Sequence, residues 1–438
     1  MSMMTLPPRM KPLSARKSAI LSVLDIGTSK VVCLIARLLP MEASDTLRGR
    51  THRCRILGIG HQRSRGIKGG AIVDMDEAEQ AIRLAVDAAE RMAGVQVESV
   101  LVNASGGRLA SQLFHADINL GGKAVSDHDV HRVLEAATAR TALPGRAVLH
   151  SLPTGFSLDG ARGILDPKGM MGDGLGADMH VVSADAAALR NLMLAVERCH
   201  LKIEAIIATP YAAGLSVLAD DEAELGAALV DMGAGTTTIG VFAGGHLRHV
   251  DAIAVGGNHV TMDVARGLNT SVADAERLKT LYGTCITAVS DERETIAVVP
   301  VGEDGNEPVH IPKSHMVRII KPRVEEILEL VRDRLKAAGF SGHAGRRLVV
   351  TGGASQLTGM PEAARRSLSP QVRIGRPLGI EGLPESAKSP AFAAAVGLMI
   401  YPQVAGIEHF EPQRPSLLAG TGTDGYIGRV GRWLKESF

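Results

Sequence analysis

The sequence predicts an α/β fold in which two similar domains face each other. Residues 22–36 (SVLDIGTSKVVCLIA) and 228–243 (ALVDMGAGTTTIGVFA) share one pattern: apolar residues, Asp-x-Gly, a small polar turn and an apolar strand. Such a duplication in both halves of a chain is typical of two like domains. Predicted strands and helices alternate through both halves, as in α/β architectures. Between them, residues 98–178 carry a strand, helix, strand, strand pattern, which predicts a small inserted α+β subdomain.

The composition is that of a folded, soluble protein. The chain has 438 residues, enough for two to four domains, of which 45% are hydrophobic and 22% charged. A net charge of +1 argues against bulk electrostatic binding of nucleic acid, and 3% aromatic residues argue against a base-stacking surface. We therefore expect no nucleic-acid partner. The four cysteines form no C-x-x-C pair, which is typical of a reducing cytosol.

Any membrane contact is predicted to be peripheral. Residues 1–18 contain proline and basic residues without an apolar segment, so we interpret them as a disordered arm and not as a signal peptide. No uncharged stretch reaches the roughly 18 to 20 residues that span a bilayer.

The first half begins with a strand, a tight turn and a strand over residues 19–38, followed by a strand at 56–59. Residues 74–92 form a predicted helix, because Ile82, Ala85, Val86 and Ala89 share one face. The further predicted strands and helices are, in order, strand 97–103, strand 113–118, helix 125–143, strand 147–156 and strand 180–183.

The second half repeats the alternation. The predicted elements are helix 186–200, strand 204–208, helix 210–218, strands within 227–255, helices 271–282 and 322–338, strand 348–351 and helix 389–402. Residues 403–424 are rich in Pro, Gly and Thr and are predicted to be a linker, followed by a short helix at 424–438.

The two repeated turns have the composition of phosphate-binding loops. Glycine and small hydroxyl residues let backbone N–H groups approach an anion closely. The candidate residues are Asp25, Gly27, Thr28, Ser29 and Lys30 in the first loop and Asp231, Gly233, Gly235, Thr236 and Thr237 in the second. A carboxylate beside phosphate requires a divalent cation, so Asp25 and Asp231 are candidate Mg²⁺ ligands, directly or through water. Two ordinary hairpin turns are the alternative, which the recurrence disfavours.

Several motifs carry a family resemblance. These are LDIGTSK, VDMGAGTT, LVVTGGASQLTGM at 348–360, and the two apolar helices within 206–218 and 389–401. They resemble the actin–sugar kinase–heat-shock chaperone ATPase superfamily. Residues 224–261, SVADAERLK and QVRIGRPLGIEGL are most similar to its bacterial cell-division branch, the FtsA family. The resemblance covers residues 19–401 and the C-terminal helix.

The resemblance implies an actin-like two-domain ATPase fold that binds ATP and Mg²⁺. By position, Gly352, Gly353 and Ala354 pass under the adenine and ribose, Glu276 and Lys279 reach the base or ribose, and Gly256 and Gly257 approach the phosphates. Spacing alone favours a solvated helix face for Glu276 and Lys279, and only the resemblance assigns them to the nucleotide.

Hydrolysis is predicted to be weak. The chaperone ATPases carry a glutamate that orients the attacking water just before the proline that begins the first connecting helix. Thr209 occupies that position here, and a threonine hydroxyl does not accept a proton at neutral pH. Glu204 is the nearest upstream carboxylate, but it precedes a predicted strand.

The resemblance also implies partners and domain boundaries. Residues 98–178 would contact neighbouring subunits and other division proteins, and Arg323 and Glu326 would bind the C-terminal tail of FtsZ, a tubulin-like protein. The predicted domains are an arm (1–18), a first domain (19–97, 179–224 and 386–402), the insertion (98–178), a second domain (225–255 and 335–385), its small subdomain (256–334), a linker (403–424) and a membrane helix (425–438). Asp127, His128, Asp129 and His131 suggest a metal site only weakly, because a helix start capped by Ser126 explains them as well.

The last fifteen residues, DGYIGRVGRWLKESF, have the pattern of an amphipathic helix. Apolar residues fall on one side and basic residues on the other, which is typical of a helix lying among anionic headgroups. The candidate membrane residues are Ile427, Arg429, Val430, Arg432, Trp433, Leu434, Lys435 and Phe438. The alternative is a terminal helix docked on the protein's own core.

The predicted function is that of a membrane adaptor: ATP binding drives self-assembly into filaments, and the protein holds FtsZ at the inner face of the membrane, in the division ring. A pilus-assembly actin homologue is the nearest alternative, which the amphipathic tail disfavours. A sugar kinase would need an acceptor-site carboxylate, and a chaperone would need a peptide-binding domain. Neither is evident in the sequence.

Overall fold

The computed structural model describes residues 7–10, 13–41, 50–141, 143–302, 307–340 and 347–409. The predicted helix at 424–438 and most of the predicted linker lie outside these ranges.

The strands are β1 (Ala19–Ile26), β2 (Lys30–Pro40), β3 (His52–Arg63), β4 (Ile67–Lys68), β5 (Ala71–Ile72), β6 (Ser99–Ala104), β7 (Ala110–Asn119), β8 (Arg146–Leu158), β9 (Ala161–Ile164), β10 (Gly174–Asp185), β11 (Lys202–Ala208), β12 (Ala227–Met232), β13 (Thr237–Ala243), β14 (His246–Ile253), β15 (Thr295–Val298), β16 (Val309–Pro312), β17 (Arg347–Thr351), β18 (Gln371–Ile374) and β19 (Ile380–Glu381). The helices are α1 (Met75–Ala93), α2 (Asp127–Ala139), α3 (Ala186–Glu197), α4 (Thr209–Val217), α5 (Asp220–Leu225), α6 (Gly257–Gly267), α7 (Val272–Tyr282), α8 (Lys313–Ala337), α9 (Met360–Ser367) and α10 (Ala393–Val404).

Two sheets form the centres of the two domains. The first has six strands in the order β11-β6-β1-β2-β3-β19, with β1 and β2 antiparallel and β1 and β6 parallel. The second contains β18-β17-β12-β13-β14, with β12 and β13 antiparallel and β12 and β17 parallel. The predicted duplication is therefore confirmed, because each repeated hairpin has a parallel neighbour on the same side.

Helix α1 shows how sequence positions the first sheet. The Asp74 side chain accepts hydrogen bonds from the backbone N–H groups of Asp76 and Glu77 at the start of the helix, and Gly94 ends it in the left-handed conformation. The helix lies unusually close to β3. A Cβ atom at Gly60 would stand 1.7 Å from the carbonyl oxygen of Ala85, so only glycine permits this approach.

The two apolar connecting helices, α4 and α10, pack against each other beneath the site. A Cβ atom at Gly397 would stand 1.7 Å from the carbonyl oxygen of Ala212, which shows how closely they cross. One segment of the described chain, Pro390–Ile407, has the length and hydropathy that could cross a membrane, but 67% of it is buried inside the protein. We therefore assign it to the core.

The insertion has its own small core. Strands β7, β8, β9 and β10 form an antiparallel sheet covered by α2, and Val133 of α2 packs with Leu158 and Leu175. Its sheet joins that of the second domain through one residue pair, Ala110 with Asp251. Ser126 and Asp129 form a capping box at the start of α2. The predicted boundary at residue 178 falls within β10, which continues to Asp185.

The prediction that a helix begins at Pro322 was wrong. Helix α8 begins nine residues earlier, at Lys313, and contains Pro322 in its interior. Proline removes one hydrogen bond from a helix, but Met316 and Ile320 before it and Val324 and Ile327 after it are all buried. The continuous apolar face therefore holds both halves of the helix in line.

Candidate nucleotide-binding site

A cleft of about 560 Å³ lies between the two domains. The repeated loops form two of its walls, and residues 352–354, helix α7 and the start of α10 contribute the others. The volume falls within the range usual for small-molecule and cofactor sites.

The two loops have the same backbone geometry. In the first, the N–H of Gly27 donates to the carbonyl of Lys30 over 3.0 Å, and in the second, the N–H of Gly233 donates to the carbonyl of Thr236 over 2.9 Å. The loops also touch across the cleft, since a Cβ atom at Gly235 would stand 2.4 Å from the hydroxyl of Thr28. Both turns therefore bring their backbone to the same part of the cleft.

Each loop begins with a buried carboxylate. Burial raises the pKa of Asp25 to about 6, while the Lys30 cation opposes the shift. Burial raises the pKa of Asp231 to about 7, the Asp25 carboxylate adds to the shift, and Lys30 opposes it. The two desolvated carboxylates repel each other, and Lys30 is the cation beside them. Binding a further positive charge here would reduce the repulsion.

Asn103 fixes the first carboxylate. Its amide nitrogen donates to Asp25 over 2.7 Å and to the Thr209 hydroxyl over 3.3 Å, and its amide oxygen accepts the N–H of Ile26 over 2.7 Å. Asn103 was not among the predicted site residues. Its position at the end of β6, beside β1, is the signal that identifies it.

Lys30 lies between the carboxylates and the start of α10. Its ammonium group donates to the carbonyl of Ala391 over 2.6 Å and stands 3.7 Å from the centre of the Phe392 ring. Burial lowers the pKa of Lys30, and Asp25 and Asp231 oppose that shift. A phosphate group in the cleft would offer this cation an anionic partner in place of a neutral carbonyl.

Glycine is required where the second domain closes the cleft. Gly352 has a φ of 85°, and a Cβ atom there would stand 2.2 Å from the Asp231 carboxylate. Gly257 donates its N–H to the carbonyl of Gly233 over 2.9 Å at the start of α6. These contacts bring the backbone close to the second loop and leave the cleft free of side chains there.

Glu276 and Lys279 line the cleft as a pair. The Lys279 ammonium group lies 2.7 Å from the Glu276 carboxylate and donates to the Thr261 hydroxyl over 2.8 Å. Lys279 has only 15% of its side chain exposed. The structure thus places these residues at the cleft wall, whereas sequence spacing alone favoured a solvated helix face.

The structure places most of the predicted nucleotide-binding residues at the cleft. Those that line it are Asp25, Gly27, Thr28, Ser29, Lys30, Asp231, Gly233, Gly235, Thr236, Gly257, Glu276, Lys279, Gly352, Gly353 and Ala354. Thr237 instead donates its hydroxyl to the carbonyl of Val255, and Gly256 contributes the N-cap of α6 without lining the cleft. Residues that line the cleft but were not predicted include Asn103, Ser105, Thr238, Asn258 and Gln356.

Thr209 stands at the cleft at the start of α4, with its hydroxyl accepting from Asn103. Glu204 lies on β11, accepts a hydrogen bond from Ser99 and does not line the cleft. The cleft wall at this point thus carries a hydroxyl where the chaperone ATPases have a carboxylate.

Arg323 and Glu326 occupy adjacent turns of α8, outside the cleft. The Arg323 guanidinium donates to both oxygens of Asp263 and to Glu326. The next residue on the helix, Val324, lines the floor of the cleft. The predicted partner site is therefore a preformed ion-pair cluster on a helix that also contributes Val324 and Ile327 to the cleft.

The fold and the cleft define a protein of the actin-like two-domain class. The solved PilM–PilN type IV pilus biogenesis complex matches with a TM-score of 0.59 at 16% identity, over 89% of this chain and 99% of that chain. MreB5 of Spiroplasma citri bound to ADP matches with a TM-score of 0.52 at 14% identity, over 89% of this chain and 98% of that chain. At these identities the likeness shows the fold alone.

Sequence comparisons place the chain more narrowly. The profile described as cell division protein FtsA matches residues 228–397, and that of the SHS2 domain inserted in FtsA matches residues 106–183. Cell division protein FtsA of Agrobacterium fabrum is 57% identical, over 98% of both chains, and that of Escherichia coli K12 is 33% identical, over 95% of this chain and 97% of the other. The chain belongs to the FtsA family of cell-division proteins.

Proposed function

We propose that this chain is an ATP-binding cell-division protein that self-assembles and tethers FtsZ filaments to the inner face of the cytoplasmic membrane. The observation that carries the proposal is the pair of matching loops across one cleft, each starting with a buried carboxylate. ATP would lie between the domains, and each loop would direct amide groups to its phosphates.

The residues of the cleft fit both Mg²⁺ and ATP. Asp25 and Asp231 would hold the cation directly or through water, and Lys30 would contact a phosphate oxygen. The cation would neutralise the charge that the phosphates bring beside the two carboxylates. Gly352 and Gly353 would lie against the nucleoside, with Glu276 and Lys279 at the base or ribose. MreB proteins of the same fold are described as bound to ADP and to AMPPNP, which supports a nucleotide here.

Hydrolysis should be slow, because the described cleft wall offers Thr209 where a water-orienting carboxylate is needed. We expect phosphate release from the ATP-saturated protein to fall well below about 1 per second, the low end of typical enzyme rates. Thr209→Glu should raise the rate, whereas Thr209→Gln, which has the same size but no basic oxygen, should not. Single-turnover phosphate release measures all three. A wild-type rate in the usual enzyme range would refute the view of ATP as a structural ligand.

The Arg323 cluster is the proposed site for the C-terminal tail of FtsZ. Arg323→Glu would place a third carboxylate beside Asp263 and Glu326, so we expect peptide affinity to fall at least tenfold, or about 1.4 kcal/mol. Arg332→Glu on the same helix is the control, because Arg332 pairs only with its neighbour Asp333 among the described residues. Fluorescence anisotropy of a labelled tail peptide measures both. Equal affinity of the Arg323→Glu variant and the wild type would move the site elsewhere, and unchanged ATP affinity would show that the cleft is intact.

The location follows from the same proposal. The insertion would contact other subunits and other division proteins, and residues 425–438 would bind anionic lipids as a peripheral anchor. A functional fluorescent fusion should therefore form a ring at midcell. Accumulation at a cell pole, as expected for pilus assembly, would contradict the proposed role.

A further inference from the structure

A histidine of the insertion contacts the last residues of the described chain inside the protein. The Nδ1 atom of His150, on β8, lies 2.9 Å from the Glu408 carboxylate, and the two side chains are 0% and 1% exposed. A buried carboxylate is costly unless it is hydrogen-bonded or paired. Loss of this contact while Glu408 stays buried would therefore destabilise the folded protein substantially.

The other ring nitrogen of His150 connects to the first domain. Nε2 accepts the backbone N–H of Ala208 over 2.9 Å. Because Nε2 accepts, the ring proton lies on Nδ1 and is donated to Glu408. The rings of Tyr211 and Tyr401 stand 4.9 and 5.8 Å from the imidazole, which fixes its orientation by packing.

Ala208 immediately precedes Thr209, the first residue of α4. The Thr209 hydroxyl accepts from Asn103, and the same amide group donates to the Asp25 carboxylate. A continuous series of contacts thus runs from Glu408 through His150, the backbone of Ala208 and Thr209, and Asn103 to the candidate metal ligand.

A second contact holds the same end of the chain. The N–H of His409 donates to the carbonyl of Ser151 over 2.9 Å, and its ring stands 5.2 Å from that of His131 on α2. Residues 408–409 are therefore fixed to two elements of the insertion. The sequence continues from this point toward residues 425–438, the proposed membrane helix.

We infer that His150 is a positioning residue that couples the nucleotide cleft to the start of the C-terminal segment. The inference rests on the proposed function. A cation or phosphate at Asp25 changes the hydrogen bond that Asn103 donates to this carboxylate. Asn103 and Thr209 pass that change to Ala208, whose backbone N–H His150 accepts. When Glu408 is docked, His150 fixes the first turn of α4 in the position that the nucleotide requires. By linkage, bound nucleotide must strengthen the docking of residues 408–409 by the same factor.

Nucleotide affinity tests this coupling. We expect Glu408→Ala to weaken Mg·ATP binding about fivefold, the low end of typical coupling between sites. Glu408→Gln should bind close to the wild type, because its amide oxygen still accepts from His150. His131→Ala is the matched control: it removes a contact of the same segment with the insertion but lies outside the series that leads to Asp25, so its affinity should stay within about twofold of wild type. Calorimetry on the full chain gives all four values, with melting temperatures to confirm folding.

Hydrogen exchange measures the reciprocal effect, that of the nucleotide on the docked segment. Loss of structure alone would not produce the pattern expected here. In the wild type, Mg·ATP should slow exchange of the peptide covering residues 405–409, and in Glu408→Ala this response should disappear while the phosphate loops remain protected by ATP. Equal ATP affinity in the wild type and Glu408→Ala, or no response at residues 405–409 while the loops respond, would overturn the coupling alone. Failure of the wild type to bind ATP would overturn the proposed function and the coupling with it.

Discussion

Replacing Asp231 by alanine should remove Mg²⁺-dependent ATP binding. Asp231 lies near the end of β12, where the second loop begins, buried beside Gly352 and close enough to Asp25 for the two charges to interact. Without its carboxylate the cation would lose one of two anionic anchors next to the phosphates. We expect affinity for Mg·ATP to fall at least 100-fold, or about 2.8 kcal/mol, while the weak binding of ATP without Mg²⁺ changes little.

Asp231→Asn is the matched control, because it preserves volume and removes only the charge. If the metal requires the charge, both variants lose Mg²⁺ dependence. If the alanine variant fails because of a cavity, the asparagine variant should bind like the wild type. Equilibrium binding with and without Mg²⁺ distinguishes these outcomes, and unchanged affinity in both variants would remove Asp231 from the site.

The same carboxylates should destabilise the nucleotide-free protein at high pH. Their pKa values are raised in the folded state, to about 6 for Asp25 and about 7 for Asp231. The folded state therefore binds their protons more tightly, and this stabilising contribution, fully present below about pH 4, is lost as pH rises through 7. Without nucleotide, Asp231→Asn should melt at a higher temperature than the wild type at pH 8, and the difference should vanish near pH 4. A lower melting temperature for the variant at pH 8 would contradict the assigned direction of the shift.

Replacing Trp433 by glutamate should abolish binding to vesicles at any salt concentration. Residues 425–438 lie outside the described ranges, so this prediction comes from their sequence pattern. Trp433 is the chain's single tryptophan and falls on the predicted apolar side with Val430 and Leu434. Buried apolar area contributes about 25 cal/mol per Å², and a charge placed in the acyl boundary opposes insertion of the whole face.

The basic face supplies the contrasting variant. Arg429→Ala combined with Arg432→Ala should weaken binding mainly to anionic vesicles, and more at low salt than at high salt, since each cation contributes about 1 kcal/mol before screening. Co-sedimentation of the full chain, both variants and a chain ending at Gly422 measures the anchor. If the chain ending at Gly422 sediments as well as the intact protein, the tail is not the anchor.

The local signals in the sequence were sufficient to predict the two loops. Each motif is contiguous, and duplication distinguished both from chance hairpin turns. Asn103 could not be found in this way, because its contact with Asp25 joins residues 78 positions apart through parallel strand pairing. The same is true of Lys30 and Ala391, 361 positions apart. Contacts between distant residues depend on how sheets and connecting helices pack, which local patterns do not contain.

Helix α8 shows that a local pattern can also predict the wrong boundary for an element. Proline at position 322 favoured a helix start, but burial of the preceding turns against the small subdomain extended the helix back to Lys313. For Glu276 and Lys279, the i,i+3 spacing favoured a solvated face, and the packing of α7 beside α6 places them at the cleft. Tertiary packing decided both cases.

Hydrogen exchange of the full chain, with and without Mg·ATP, tests most directly the central claim that one nucleotide is held by both domains. The account predicts slower exchange in residues 25–30 and 231–237 together, and at 352–354, with Mg²⁺ required and with the effect lost in Asp231→Asn. Protection of only one loop, or equal protection without Mg²⁺, would contradict it.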